Sequence, residues 1–107
     1  MAVQKFIQYT GIALDIIPEI NETFDLIFLD ADKENYINYF NCIINKLNKS
    51  GVILADNVLW SGKVIDKNQQ DNTTNILRRF NDMVNNDSRV ETILLPIRDG
   101  ISIIRKI

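Results

Sequence analysis

Two short apolar runs, each closed by an aspartate, constrain this chain more than any other feature. Phe24–Leu29 reads FDLIFL and stops at Asp30; Val52–Ala55 reads VILA and stops at Asp56. The first lacks alternation over its central residues, as expected of a strand buried on both faces of a parallel sheet. Between the runs, Tyr36, Ile37, Phe40, Ile43, Ile44 and Leu47 fall on one helical stripe. That stripe predicts a helix over Glu34–Asn48, with Gly51 as its C-terminal stop. Strand, helix and strand in this order make a parallel crossover, because parallel neighbours cannot be joined by a tight turn.

The alternation continues on both sides. Lys5–Tyr9 predicts a short strand ending at Gly11, and Ala13–Ile20 a short helix carrying Ala13, Ile16, Ile17 and Ile20. Asn57–Asn72 is a long connection, and such loops are more often functional or mobile than neutral. Thr73 or Thr74 is placed to cap a helix whose stripe is Ile76, Leu77, Phe80, Met83 and Val84. Arg89–Ile97 and Ile101–Ile107 read as strands, with Arg98-Asp99-Gly100 as the hairpin between them. The expected fold class is α/β, with an antiparallel C-terminal β-hairpin and residues 1–107 as a single domain.

Composition excludes several kinds of chemistry. Twelve basic and fourteen acidic residues leave a net charge of −2, so no basic field exists for nucleic acid or an acidic membrane surface. The sequence has no histidine, which removes imidazole triads, His-zinc sites and His proton shuttles. The single cysteine, Cys42, allows neither an intrachain disulfide nor a cysteine zinc cluster, and its place off the apolar stripe reads as structural. No apolar run approaches the roughly 20 residues of a membrane span, and no signal-peptide pattern is present. The expected location is cytoplasmic.

Ligands of open α/β sheets bind beyond the carboxyl ends of the strands. Asp30-Ala31-Asp32-Lys33 and Asp56-Asn57 lie there, and adjacent parallel strands would set Asp30 beside Asp56. Two carboxylates and an amide oxygen suit a hard cation such as Mg²⁺. Successive strand residues point to opposite faces, so Asp56 and Asn57 can share an ion only if the chain turns between strand and loop. Against this stands the ordinary role of a lone strand-end Asp, a cap or turn residue. Tyr36, Tyr39 and Phe40 read as core stripe. Trp60, in a polar loop beside Ser61-Gly62, either covers the sheet end or walls a flat substrate. A receiver-like signalling domain also places an Asp, a Lys and Mg²⁺ at strand ends, but it needs a further acidic pair that Tyr9–Ile12 does not supply.

FDLIFLDADKENYINYF, GVILADNVLWSGKV and RVETILLPIRDGISIIRK resemble the cation-dependent, S-adenosylmethionine-dependent O-methyltransferases of the caffeoyl-CoA and catechol type. The resemblance runs from about Gly11 to Lys106, and the order, spacing and strand context of DADK-x-NY and ADN-x-LW-x-G all agree. It implies Asp30, Asp56 and Asn57 as metal ligands, Asp32 as a contact of the methyl donor and Lys33 as general base. It also implies Trp60 and Ser61 in an acceptor-binding loop. The implied cofactors are S-adenosylmethionine and Mg²⁺ or another divalent cation; the implied substrate is a small aromatic hydroxyl acceptor. A cation between two adjacent hydroxyls acidifies the one to be methylated, a like charge disfavours the ammonium of Lys33, and the rest is alignment.

The family's glycine-rich donor turn and the acidic residue that binds the ribose are not matched, and Ile12 stands where an acid near the adenine is usual. The resemblance thus implies the C-terminal half of a Rossmann-like methyltransferase sheet, with the donor-binding strands absent. Phe24–Leu29 would then be an exposed edge, free to pair with a second copy as a homodimer or to be crossed by the N-terminal segment. The expected activity is metal-assisted O-methyl transfer, weak or absent in this length of chain. The alternative is a non-enzymatic remnant that keeps the metal pocket and self-associates through that edge.

Overall fold

A computed structural model describes residues 6–107. The elements in chain order are α1 (Ala13–Ile16), β1 (Phe24–Leu29), α2 (Tyr36–Ile43), β2 (Leu47–Asp56), α3 (Asn72–Asn86), β3 (Val90–Leu95) and β4 (Ile101–Lys106). They form one four-stranded sheet in the order β1-β2-β4-β3. β1 and β2 are parallel; β4 runs antiparallel to both β2 and β3. The predicted α/β class and C-terminal hairpin are both present. No helix among the described residues is long and apolar enough to cross a membrane.

Several boundaries differ from the sequence expectation. Residues 6–9 form no strand, and Lys5 lies outside the described residues. An isolated strand has no ladder to satisfy its backbone groups, and no described strand lies beyond β1. The predicted Glu34–Asn48 helix is shorter: 3₁₀ turns at Lys33–Asn35 and Ile44–Lys46 flank α2, and Leu47 and Asn48 belong to β2. Leu47 fits a helical stripe, but it pairs opposite Phe24 and lies buried in the sheet. Lys106 Nζ donates to Ile44 O (2.9 Å) and Leu47 O (3.0 Å), satisfying carbonyls that a longer helix would have used.

Gly51 is therefore not a helix stop; it lies inside β2, where the register with β1 shifts and Ser50 takes a φ of 67°. A Cβ at Gly51 would meet Asn48 O at 2.7 Å, so this irregularity requires glycine. The cap of α3 is Asp71 instead of Thr73 or Thr74. Its Oδ2 accepts from Thr74 N at 3.1 Å and its Oδ1 from Thr74 Oγ1 at 2.8 Å.

α2 and α3 cover one face of the sheet. Phe80 meets Tyr36 and Phe40 edge-on, with ring centroids 5.3 and 6.3 Å apart, above buried Leu29, Ile53, Ala55 and Ile104. The opposite face carries Leu26, Phe28 and Ile93 exposed, with Val52, Leu54 and Ile103 half-buried. No described helix packs there. The carboxyl ends of β1 and β2 open onto the loops that carry the acidic residues.

Candidate functional site

Leu29 and Ala55 are register partners, so Asp30 and Asp56 follow at equivalent positions on neighbouring parallel strands. Tyr36, at the start of α2, joins the two ends. Its hydroxyl reaches Asp56 O at 2.7 Å and Leu29 O at 3.2 Å, and it accepts from Lys33 Nζ at 2.7 Å. Burial, with the charges of Asp30 and Asp56, raises the Tyr36 hydroxyl well above its ordinary range, so it stays protonated. Lys33 Nζ also donates to Ala31 O (3.1 Å) and Asp30 Oδ1 (3.3 Å). Its side chain is nearly buried, whereas Asp30 is open to solvent.

The expected turn after Asp56 is present. Asn57 has a φ of 62° and donates its backbone N–H to Asp56 Oδ1 at 2.8 Å. Trp60 and Ser61 are left-handed as well, with φ of 53° and 55°. Three such non-glycine residues within one loop store roughly 1–3 kcal/mol each, which the surroundings must offset. Asp99, in the β3–β4 turn, supplies much of that support: its carboxylate accepts from Asn57 Nδ2 at 3.1 Å and from the backbone N–H of Ser61. Leu59 N donates to Asp99 O at 2.9 Å and Val58 N to Gly100 O at 3.2 Å. A Cβ on Gly100 would lie 2.5 Å from Leu59, so glycine permits this close approach as well as the turn. Further along the loop, Arg78 binds the carbonyls of Lys63, Val64 and Asp66. The long connection is thus stapled from both ends.

Asp32 points away from this group. Tyr39 Oη donates to it at 2.5 Å and Asn35 Nδ2 bonds it too. These bonds, Tyr39 first, hold its carboxyl below the ordinary range, and the same bond pushes Tyr39 up to about 12. Trp60 is half-buried against the core, so covering the sheet end is one of its roles.

Asp30, Lys33, Asp56 and Asn57 therefore surround the ends of β1 and β2, with Trp60 and Ser61 on the adjoining loop and Asp32 to one side. Sequence reasoning missed Tyr36, Tyr39 and Asp99. The two tyrosines were legible only as rings of an apolar stripe, and Asp99 only as half of a hairpin signal. Among the described residues no three His, Cys, Asp or Glu side chains group as a metal cluster. The donor set is two carboxylates and an amide, all oxygen, which fits a hard cation.

A sequence model of O-methyltransferases matches residues 6–107. The chain is 38% identical over 110 residues to caffeoyl-CoA O-methyltransferase 1 of Arabidopsis thaliana, spanning 91% of this chain and 42% of that protein. It is 39% identical over 92 residues to a catechol O-methyltransferase of Niastella koreensis, spanning 82% and 42%. The O-methyltransferase of Bacillus cereus, solved in complex with SAH, superposes with a TM-score of 0.82 at 31% identity, over 92% of this chain and 49% of that one. The chain thus spans about half the length of the relatives it matches.

Proposed function

The chain belongs to the O-methyltransferase family, and from that premise we propose that it carries the metal and acceptor side of an S-adenosylmethionine-dependent O-methyltransferase. The acceptor class is a catechol-like or caffeoyl-CoA-like aromatic hydroxyl. The observation that carries this reading is the pairing of Asp30 with Asp56-Asn57 at adjacent parallel strand ends, with Lys33 held between them on Tyr36. Asp30, Asp56 and Asn57 would hold the divalent cation. When bound, such a cation acidifies an aromatic hydroxyl attached to it.

The chain's own residues do the rest. Lys33 Nζ is the group that receives the acceptor's proton. Asp99 engages the Asn57 amide through its nitrogen, which leaves the amide oxygen for the cation. Trp60 and Ser61 present the loop against which a flat acceptor aligns. Asp32, held by Tyr39 and Asn35, presents a charged acceptor to the methyl donor. The four glycines of the sequence are scattered and form no glycine-rich turn, so Asp32 is the donor contact assigned to these residues. A second reading is a non-enzymatic remnant that keeps the pocket and self-associates through the outer edge of β1, which pairs with no described strand.

Calorimetric titration with Mg²⁺ or Mn²⁺ tests the pocket. Asp30→Ala and Asp56→Ala should each weaken binding at least tenfold, while Asp25→Ala should not. Equal affinity in all variants would sink the site. Titration with S-adenosylmethionine reads the donor side: weak or no binding is expected for the 107 residues alone. Micromolar binding would show that the donor site lies within them.

A further inference from the structure

An amide that ligates a cation has two ends, and only one of them can do so. The oxygen has lone pairs to give; the NH2 donates hydrogen bonds and has none. The two orientations differ by a half-turn about one soft side-chain bond, so the backbone does not choose between them. Whatever chooses for Asn57 is part of the chemistry at the strand ends.

The fold brings one carboxylate to that amide. β2 pairs with β4 so that Asp56 lies opposite Ile101, and Asn57 therefore leaves its strand beside the β3–β4 turn. Main-chain bonds tie the turn to the loop: Val58 N donates to Gly100 O at 3.2 Å and Leu59 N to Asp99 O at 2.9 Å. Asp99 is half-buried at this junction, and its two oxygens have separate duties. Oδ1 accepts from the backbone N–H of Ser61, and Oδ2 accepts from Asn57 Nδ2 at 3.1 Å. A carboxylate accepts and does not donate, so Asn57 can meet it only with its NH2. The Ser61 N–H is a main-chain donor and cannot turn into an acceptor, so both oxygens are committed.

The charge matters as well as the bond. Asn57 has a φ of 62°, a left-handed conformation that Asn and Asp adopt more readily than other side-chain-bearing residues. The backbone accepts either residue. A carboxylate at position 57 would face Asp99 across the 3.1 Å contact, and like charges at that range repel. We propose that Asp99 is a positioning residue for the cation site: it holds the nitrogen of the Asn57 amide, keeps the oxygen free for the cation, and selects an amide over a carboxylate at position 57. This role rests on the cation site proposed above.

Hydrogen-bond chemistry supplies an exchange test. In Asp99→Asn the one remaining oxygen stays with the Ser61 N–H, which leaves an NH2 facing Asn57. Asn57 meets it by turning its own oxygen inward, and an NH2 then stands where the cation needs an oxygen. Adding Asn57→Asp reverses this: the new carboxylate accepts from the new NH2 with one oxygen and keeps the other for the cation.

Calorimetric titration of the 107-residue chain with Mn²⁺, with Tm followed for every variant, reads the role. Asp99→Asn should weaken binding about tenfold or more, as is usual when a partner that orients a metal ligand is removed. The double variant, Asn57→Asp with Asp99→Asn, should return to the affinity of the parent. Asn57→Asp should gain less in the parent than in the Asp99→Asn background. A merely structural role would lower Tm and affinity in Asp99→Asn with no recovery in the double variant. The proposal is overturned by parental affinity in Asp99→Asn, by no recovery in the double variant, or by an equal gain from Asn57→Asp in both backgrounds. If Asp99→Asn does not fold, the double variant must fold and bind as the parent does, and failure of either overturns the proposal. Asp30→Ala separates this role from the site beneath it. If that variant keeps full affinity, the cation site falls and the role of Asp99 with it; if it weakens binding while Asp99→Asn does not, only the role of Asp99 falls.

Discussion

The two faces of this sheet are built from the same kinds of residues and have opposite fates. Ile53, Ala55 and Ile104 lie buried under α2 and α3, while Leu26, Phe28 and Ile93, on neighbouring or even adjacent positions, stand in solvent. Hydrophobicity therefore does not decide which side becomes core. The direction in which successive strands are added does, because it decides where the crossover helices land.

The largest test of that contrast is a pair of phenylalanines. Phe80→Ala removes the ring wedged between Tyr36 and Phe40 and should cost about 3–5 kcal/mol in urea denaturation. Phe28→Ala should change stability by no more than about 0.5 kcal/mol. A large loss at Phe28 would break the comparison, since it would mean that the bare face is covered in the isolated chain.

Tyr36→Phe comes next. It keeps the buried ring and deletes the hydroxyl that joins Leu29 O, Asp56 O and Lys33, for an expected cost of about 1–3 kcal/mol. Divalent-cation affinity should fall in the same variant, because the two strand ends lose their common tie. An unchanged affinity would show that the tie serves folding alone.

The smallest effect is acid sensitivity. Asp71, bonded by Thr74, and Asp87, bonded by Arg89, are held below their ordinary value of 3.8, as is Asp32. A carboxyl depressed in the folded state stabilises above its unfolded value, and that contribution is lost as pH falls through the folded value. Stability should therefore hold near neutrality and decline from about pH 4 downward. Asp71→Asn, which keeps a capping side chain without the titration, should shrink the fall in Tm over that acid range. An identical decline in the variant would remove the cap of α3 from the account.

How much of this was legible beforehand follows the range of the interactions. β1 was readable to its end residues, because an unbroken apolar run closed by Asp is a local signal. The end of α2 was not: Leu47 satisfies a helical stripe as well as a strand, and only its distant partner Phe24 decides. Asp30, Asp56 and Asn57 could be proposed because strand ends and loop starts are visible in order. Asp99 was not, because its bonds to Asn57 and Ser61 span about forty positions of chain.

Lys33 carries a consequence of its own. An ammonium has three N–H groups, and all three are spoken for by Asp30, Ala31 and Tyr36. A neutral amine has only two, plus a lone pair that must face an incoming proton. To act as a base, Lys33 has to let go of one of these three acceptors. In the arrangement seen here every N–H of Lys33 is already engaged. Asp30 is the acceptor it can surrender most easily: it is the longest contact and the most exposed.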